Sequence, residues 1–255
     1  TTVTLPPGAG TLRRWLLEPA TPPEIRERQE AVEDLAGRLD FRQNLEGKGR
    51  VLEIPDPASI QRFLEWAEEE PFLSGRPWIV FAARLIPVLT GGLVLAQWVG
   101  WVSGPWWVSG LALGFVFATH FRSKIHPLME RASGGQERFG RYAEVLKILL
   151  EAPLEAPALR RIQEDVRSSP VGAERELTRL ARRVAWSDVR YSAMAHTPLQ
   201  ALFAWDIHSL AWLERWKARS GSHVRGWLEA LGTLDALSAL GALRGDHPDW
   251  SFPEI

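Results

Sequence analysis

Apolar residues recur every three or four positions along most of this chain, the spacing of helices with one buried face. Thr21-Pro22-Pro23-Glu24 is the clearest start signal. Threonine caps exposed N–H groups, proline suits the first helical position, and Glu24 completes a capping box. Behind it Ile25, Val32, Leu35, Ala36 and Leu39 share one face, opposite Arg26, Glu27, Arg28, Glu30 and Glu33. Leu12, Trp15, Leu16 and Leu17 predict a short preceding helix that Pro19 stops. Another is expected after Asp56-Pro57, through Ile60, Phe63, Leu64 and Trp66 to Glu70. Later helices are expected over 139–150, 158–166, 174–189, 199–218 and 223–243. The breaks between them fall at Ser133-Gly134-Gly135, Pro153, Pro157, Ser169-Pro170, Thr197-Pro198 and Ser220-Gly221. Val51 to Ile54 is the best candidate for a strand, and it is short. The fold class read from this pattern is all-α, a long-helix bundle or lever.

The pattern breaks in the middle. From Pro77 to Phe121 the only ionisable side chains are Arg84 and His120. Leu85 to Ser103 forms one apolar run, Ser103-Gly104-Pro105 a turn, and Trp106 to Thr119 a second run. A membrane helix needs about 20 mostly apolar residues, because the hydrocarbon core is ~30 Å thick. The first run meets that length, especially if Phe81 to Ile86 joins it, and the second is marginal. Trp98, Trp101, Trp106 and Trp107 cluster around the turn, as in an aromatic belt at one interface. Arg76 and Arg84 precede the pair and Arg122 and Lys124 follow it, which by the positive-inside bias puts both ends on the cytoplasmic side. Gly91-Gly92, Gly100, Gly110 and Gly114 favour close helix contact. The other reading is an apolar hairpin buried in a soluble bundle, which would usually keep one polar face. The expected division is therefore 1–76, a hairpin over 77–121, and 122–255.

Composition narrows the chemistry. With 30 basic and 31 acidic side chains the net charge is −1, which argues against a nucleic-acid surface spread over the whole chain. The absence of cysteine excludes disulfides, thiolate zinc sites and cysteine nucleophiles. The opening Thr-Thr-Val-Thr has neither a start methionine nor a signal-peptide pattern, so the chain reads as a piece of a longer polypeptide.

No catalytic motif stands out. Gly47-Lys48-Gly49 is not a phosphate-binding loop, and no His-Glu-x-x-His helix exists. His120 and His126 are six apart, the wrong spacing for one helical face, and read as structural. Asp206 and His208 lie in an apolar helix, but two residues apart they point to different faces and read as packing residues. Arg160, Arg161, Arg167, Arg175, Arg179, Arg182, Arg183 and Arg190 make an arginine-rich stretch. Glu164, Asp165, Glu174, Glu176 and Asp188 interrupt it, so a solvated face with salt pairs competes with phosphate-backbone contact by Arg175, Arg179, Arg182 and Arg183.

Two strings carry a resemblance. Gly8-Ala9-Gly10-Thr11-Leu12-Arg13-Arg14-Trp15-Leu16-Leu17-Glu18-Pro19, followed by Ile25-Arg26-Glu27-Arg28-Gln29-Glu30-Ala31-Val32, resembles the start of the core and lever region of MutS-type DNA mismatch repair proteins. Trp227-Leu228-Glu229-Ala230-Leu231-Gly232, Leu234-Asp235-Ala236-Leu237 and Asp246-His247-Pro248-Asp249-Trp250-Ser251-Phe252-Pro253 are similar to the helix leading into that family's ATPase domain. The likeness covers the two ends of the chain and is looser between them. It implies lever helices that couple nucleotide state to DNA binding in a dimeric ATPase, with ATP and magnesium held in a C-terminal domain beyond Ile255. None of the family's catalytic residues has a counterpart here. Where classical members carry a polar DNA clamp this chain has the apolar hairpin, which points to a membrane-associated subgroup on the cytoplasmic face of a bacterial-type membrane. Phe63-Leu64-Glu65 matches a mismatch-reading Phe-x-Glu by letters alone, without the domain that surrounds it. A different class also fits: a membrane scaffold or assembly factor with no nucleic-acid role.

Overall fold

Proline opens five of the ten helices named below. In the computed structural model, which describes residues 3–50, 57–133, 136–187, 198–200 and 202–254, the order is α1 (Pro6–Leu17), α2 (Pro22–Ala36), α3 (Leu39–Arg50), α4 (Pro57–Glu68), α5 (Pro77–Trp98), α6 (Trp107–Ser133), α7 (Gln136–Glu151), α8 (Pro157–Arg167), α9 (Ala173–Ser187) and α10 (Trp205–Asp246). A first-turn N–H has no intrahelical partner, so a ring that removes it costs nothing there and presets φ. Among the described residues there is no strand, and the fold is all-α. Val51 to Ile54 lies outside those residues, as do Gly134-Gly135, Asp188, Arg190 and Thr197.

Two compact units share the chain. The first comprises Thr1–Gln61, Glu137–Arg179 and His223–Ile255. Its core draws Leu35 from α2, Leu45 from α3, Leu146 and Leu149 from α7, Leu159 from α8, and Leu231 and Leu234 from α10, all essentially buried. Helix α2 packs on both α3 and α8. The second unit comprises Arg62–Gln136 and Leu180–Ser222. It buries Trp66 of α4, Ile79 of α5, Ile125 and Met129 of α6, Leu180 and Val184 of α9, and Leu210 and Trp216 of α10.

Several expected boundaries moved, among them the helix expected over 199–218, which is interrupted at Ala204 with φ +46. The helix from Thr21 does not reach Leu39: it ends at Ala36 with Gly37 as its cap, and Leu39 starts α3 with its side chain exposed. The Arg42 guanidinium donates to the freed Ala36 carbonyl at 3.2 Å, which lets the chain turn there. Helix α6 does not stop where the apolar run ends, but continues through Pro127 to Ser133. The largest correction is α10, a single helix of 42 residues where a break at Ser220-Gly221 was expected. Gly221 is buried, and a Cβ there would sit 2.2 Å from the carbonyl oxygen of Ala67. The glycine serves close helix approach, not chain reversal.

Candidate membrane hairpin and its polar foot

Helices α5 and α6 pack on each other. Their connection is set by Gly100, not only by the expected Ser103-Gly104-Pro105. Gly100 has φ +82, its N–H donates to the Gln97 carbonyl at 3.1 Å, and Trp101 N–H donates to the Ala96 carbonyl at 2.9 Å. This is a Schellman closure, with glycine in the left-handed position that satisfies the last carbonyls of α5. Gly104, at φ +108, makes the second bend. The glycines divide in role. A Cβ on Gly110 would lie 2.3 Å from Oγ1 of buried Thr90, so that position sets the approach of α6 to α5. Gly91 and Gly92 are exposed with open space where a Cβ would sit, and do not serve helix contact as expected. Pro87 inside α5 removes one ladder N–H, and one turn on, the Thr90 hydroxyl donates to the Ile86 carbonyl at 2.8 Å.

The hairpin's apolar side chains point outward. Phe81, Val88, Leu89, Val94 and Leu95 of α5 are exposed, as are Val108, Leu113, Phe115 and Val116 of α6. Helix α5 is long and apolar enough to cross a membrane, and only 17% of its most apolar window is buried. The described residues therefore do not bury the hairpin's outer face. Among the described residues α5 alone meets that length and composition, so the second expected span falls short. Its physical reason is the early return of charge in α6 at Arg122 and Lys124. Of the four tryptophans expected around the turn, Trp98, Trp101 and Trp106 are 84%, 83% and 62% exposed, and Trp107 is half-buried. At the opposite end Trp78, Phe117 and Phe121 meet edge to face, with centroids 5.1 to 6.4 Å apart.

A polar foot holds the entry to α5. The Glu214 carboxylate of α10 accepts the N–H groups of Phe72 at 2.6 Å and Leu73 at 2.7 Å. Burial pushes its pKa above the ordinary carboxylate value, against the pull of those two donors. One turn on, Lys217 Nζ donates to the Glu70 carbonyl at 3.4 Å and lies 5.2 Å from the Trp66 ring centroid. Burial holds this amine below its usual pKa. Trp66 stacks on Trp216 at 6.3 Å and on Phe63 at 5.8 Å. The Arg131 guanidinium makes a two-point contact with Glu69, at 2.6 and 3.1 Å. Nothing in the sequence pattern marked Glu214 or Lys217, whose partners lie far away along the chain.

The candidate backbone-contacting arginines sit on α9 and are all exposed. Arg179 pairs with Glu176 at 2.5 Å, and the Arg183 guanidinium lies 4.9 Å over the Trp212 ring. Among the described residues Arg175 and Arg182 carry no such contact. Of the remaining cluster, Arg161 pairs with Glu27 and Arg167 donates to the Leu150 carbonyl at 2.6 Å. Asp206 and Gln200 bond reciprocally: the Gln200 amide donates to the carboxylate at 3.0 Å, and Asp206 N–H donates to Gln200 Oε1 at 3.1 Å. His208 Nδ1 lies 3.4 Å from the Ala204 carbonyl, so both residues build the start of α10. His126 pairs with Glu130 at 3.2 Å on its own helix.

The two strings that carry the resemblance lie against each other in the first unit. Asp235 accepts the N–H groups of Leu5 at 2.8 Å and Thr4 at 3.1 Å. A Cβ on Gly8 would overlap the Asp235 carboxylate, and one on Gly232 would lie 2.8 Å from the Pro7 carbonyl oxygen. Trp15 and Leu16 of α1 and Trp250 and Phe252 of the C-terminal segment line one apolar cavity of about 540 Å³. No known protein family matches the chain, and neither does any curated protein or solved structure.

Proposed function

We propose that this chain tethers a MutS-like core-and-lever segment to a membrane, so that a DNA-binding ATPase works from the membrane's cytoplasmic face. The exposed apolar hairpin carries the tethering part. An unpartnered patch of this size on a chain in water would drive association, whereas lipid satisfies it at no cost. The mutual packing of the two resembling strings supports the MutS-like part, because residues more than 200 positions apart form one joint there. The 42-residue helix supports the lever. It carries Asp235, which holds the start of α1, and Glu214, which holds the approach to the hairpin. No phosphate-binding loop occurs in this sequence, and in this reading ATP with magnesium is held by the domain expected beyond Ile255. In this reading Arg175 and Arg182 make phosphate-backbone contacts, and the working protein is a homodimer.

The native polypeptide's mass and C-terminal sequence test the assignment. The reading expects a further domain with a Gly-Pro-Asn-x-x-Gly-Lys-Ser loop, and ATP-dependent retention of DNA by the purified protein. A native chain ending near Ile255 would leave the membrane scaffold reading in its place. The tether has its own test. Leu89 is 57% exposed near the middle of α5, and an acidic residue at a span centre costs about 2.5–3.5 kcal/mol on insertion scales. Leu89→Asp should move the chain from the carbonate-resistant membrane pellet to the soluble or aggregated fraction, and unchanged fractionation would count against spanning.

A further inference from the structure

One ionisable side chain in α5 has no evident role in the hairpin. Arg84 sits seven residues past Pro77, roughly 10 Å along the helix axis, with exposed Leu85 beside it. A guanidinium at that depth needs an anion or a polar cavity, since ionisable groups in spans pair or face water-filled space. Among the described residues Arg84 makes neither hydrogen bond nor ion pair. It lines a cavity of about 490 Å³ with Pro77, Val80 and Phe81 of its own helix and Glu214 and Arg215 of α10. Arg215 is exposed and donates from Nε to the Ala211 carbonyl at 3.1 Å, and among the described residues its two terminal nitrogens have no partner. The carboxylate in the cavity wall, Glu214, already takes the N–H groups of Phe72 and Leu73. The cavity is thus cationic at two points and apolar along Pro77, Val80 and Phe81. The last of these belongs to the exposed apolar face of α5.

We propose that this cavity at the foot of the hairpin is a binding site for one anionic phospholipid, with the phosphate between Arg84 and Arg215 and an acyl chain along Val80 and Phe81. Charge complementarity selects the occupant: two guanidiniums whose terminal nitrogens have no partner among the described residues match a phosphodiester, and the apolar wall that continues onto the outer face of α5 matches a chain, not a small solute. The lipid would neutralise Arg84 and seat the hairpin at a fixed depth. This inference rests on the membrane reading above.

The test uses the whole chain, purified in a neutral detergent and challenged with phosphatidylglycerol or phosphatidylcholine. Lipid retention is read by native mass spectrometry. Wild type should retain phosphatidylglycerol preferentially. Each arginine is worth about fivefold, so Arg84→Gln with Arg215→Gln should lose roughly 25-fold of that preference. Arg84→Lys with Arg215→Lys should keep most of it, which separates charge recognition from damage to the fold. Equal retention of the two lipids by wild type would overturn the site while leaving the tether intact. Displacement of phosphatidylglycerol by inorganic phosphate would overturn it too, since the site would then read a free anion. If the chain fails to enter phosphatidylcholine vesicles at all, it is the membrane reading that falls.

Discussion

Three acidic side chains perform one task in this protein. Asp235 takes the N–H groups of Thr4 and Leu5 just before Pro6, and Asp34 takes those of Glu155 and Ala156 just before Pro157. Glu214 takes those of Phe72 and Leu73 ahead of the turn into Pro77. Each carboxylate collects two consecutive backbone donors where local capping is missing. Their electrostatics differ. Burial works against the Asp34 carboxylate, but Ala156 N–H, the Arg38 guanidinium and Glu155 N–H together hold its pKa below the usual value. At Asp235 burial, joined by the Glu46 carboxylate, raises the pKa from 3.8 to about 6 despite the Leu5 and Thr4 donors. The sign follows from proton linkage: between pH 4 and 6 the folded state binds more protons than the unfolded one, so stability falls as pH rises through that window. Replacing it by Asn removes the titration and keeps one acceptor oxygen. The wild-type chain should therefore lose up to ~3 kcal/mol relative to Asp235→Asn between pH 4 and pH 7, read by chemical denaturation. Parallel pH profiles for the two would show that Asp235 does not titrate in this window.

Among the helices, the long α10 turns on its glycines, and two of them make opposite predictions. A Cβ at Gly221 would meet the Ala67 backbone oxygen at 2.2 Å, where no side chain can swing aside. Gly221→Ala should destabilise by about 1–3 kcal/mol despite its better helix propensity. Gly226, five residues on, is exposed with nothing within 4 Å of a built Cβ. There Gly226→Ala should stabilise by about 0.5–1 kcal/mol. Urea midpoints of the two variants should move in opposite directions. A shared direction would mean that propensity, not packing, governs this helix. The end of α7 follows the same logic of tertiary satisfaction. The Gln163 amide of α8 donates to the Leu149 and Ala152 carbonyls at 2.6 and 2.8 Å, closing a helix end that Pro153 could not continue.

For the molecule as a whole the hairpin is the decisive feature. Helix α5 spans about 33 Å end to end, enough for a ~30 Å hydrocarbon core, but only roughly 21 Å separates Arg84 from Trp98. A span on these terms needs Arg84 to reach back toward the interface nearest the start of α5, as long basic side chains do. The absence of native cysteine makes the topology directly readable. Ser103→Cys at the turn should be labelled by a membrane-impermeant maleimide only from the face opposite the two chain ends. Labelling from the same face would make the hairpin a re-entrant loop in one leaflet, short of a span.

Amino-acid order alone determined the helical class, the starts at Thr21 and Pro57, and the apolar run of α5. Each is a local signal, carried by residues within one or two turns of one another, and each survives any tertiary arrangement. Tertiary structure decided the rest. The donors that Asp34, Glu214 and Asp235 collect lie 122, 142 and 231 positions away, too far for periodicity or capping rules to register. Gly221 was misread as a break for the same reason. A glycine that admits another helix's backbone looks, in one dimension, like a glycine that ends its own, and only the Ala67 carbonyl above it tells them apart.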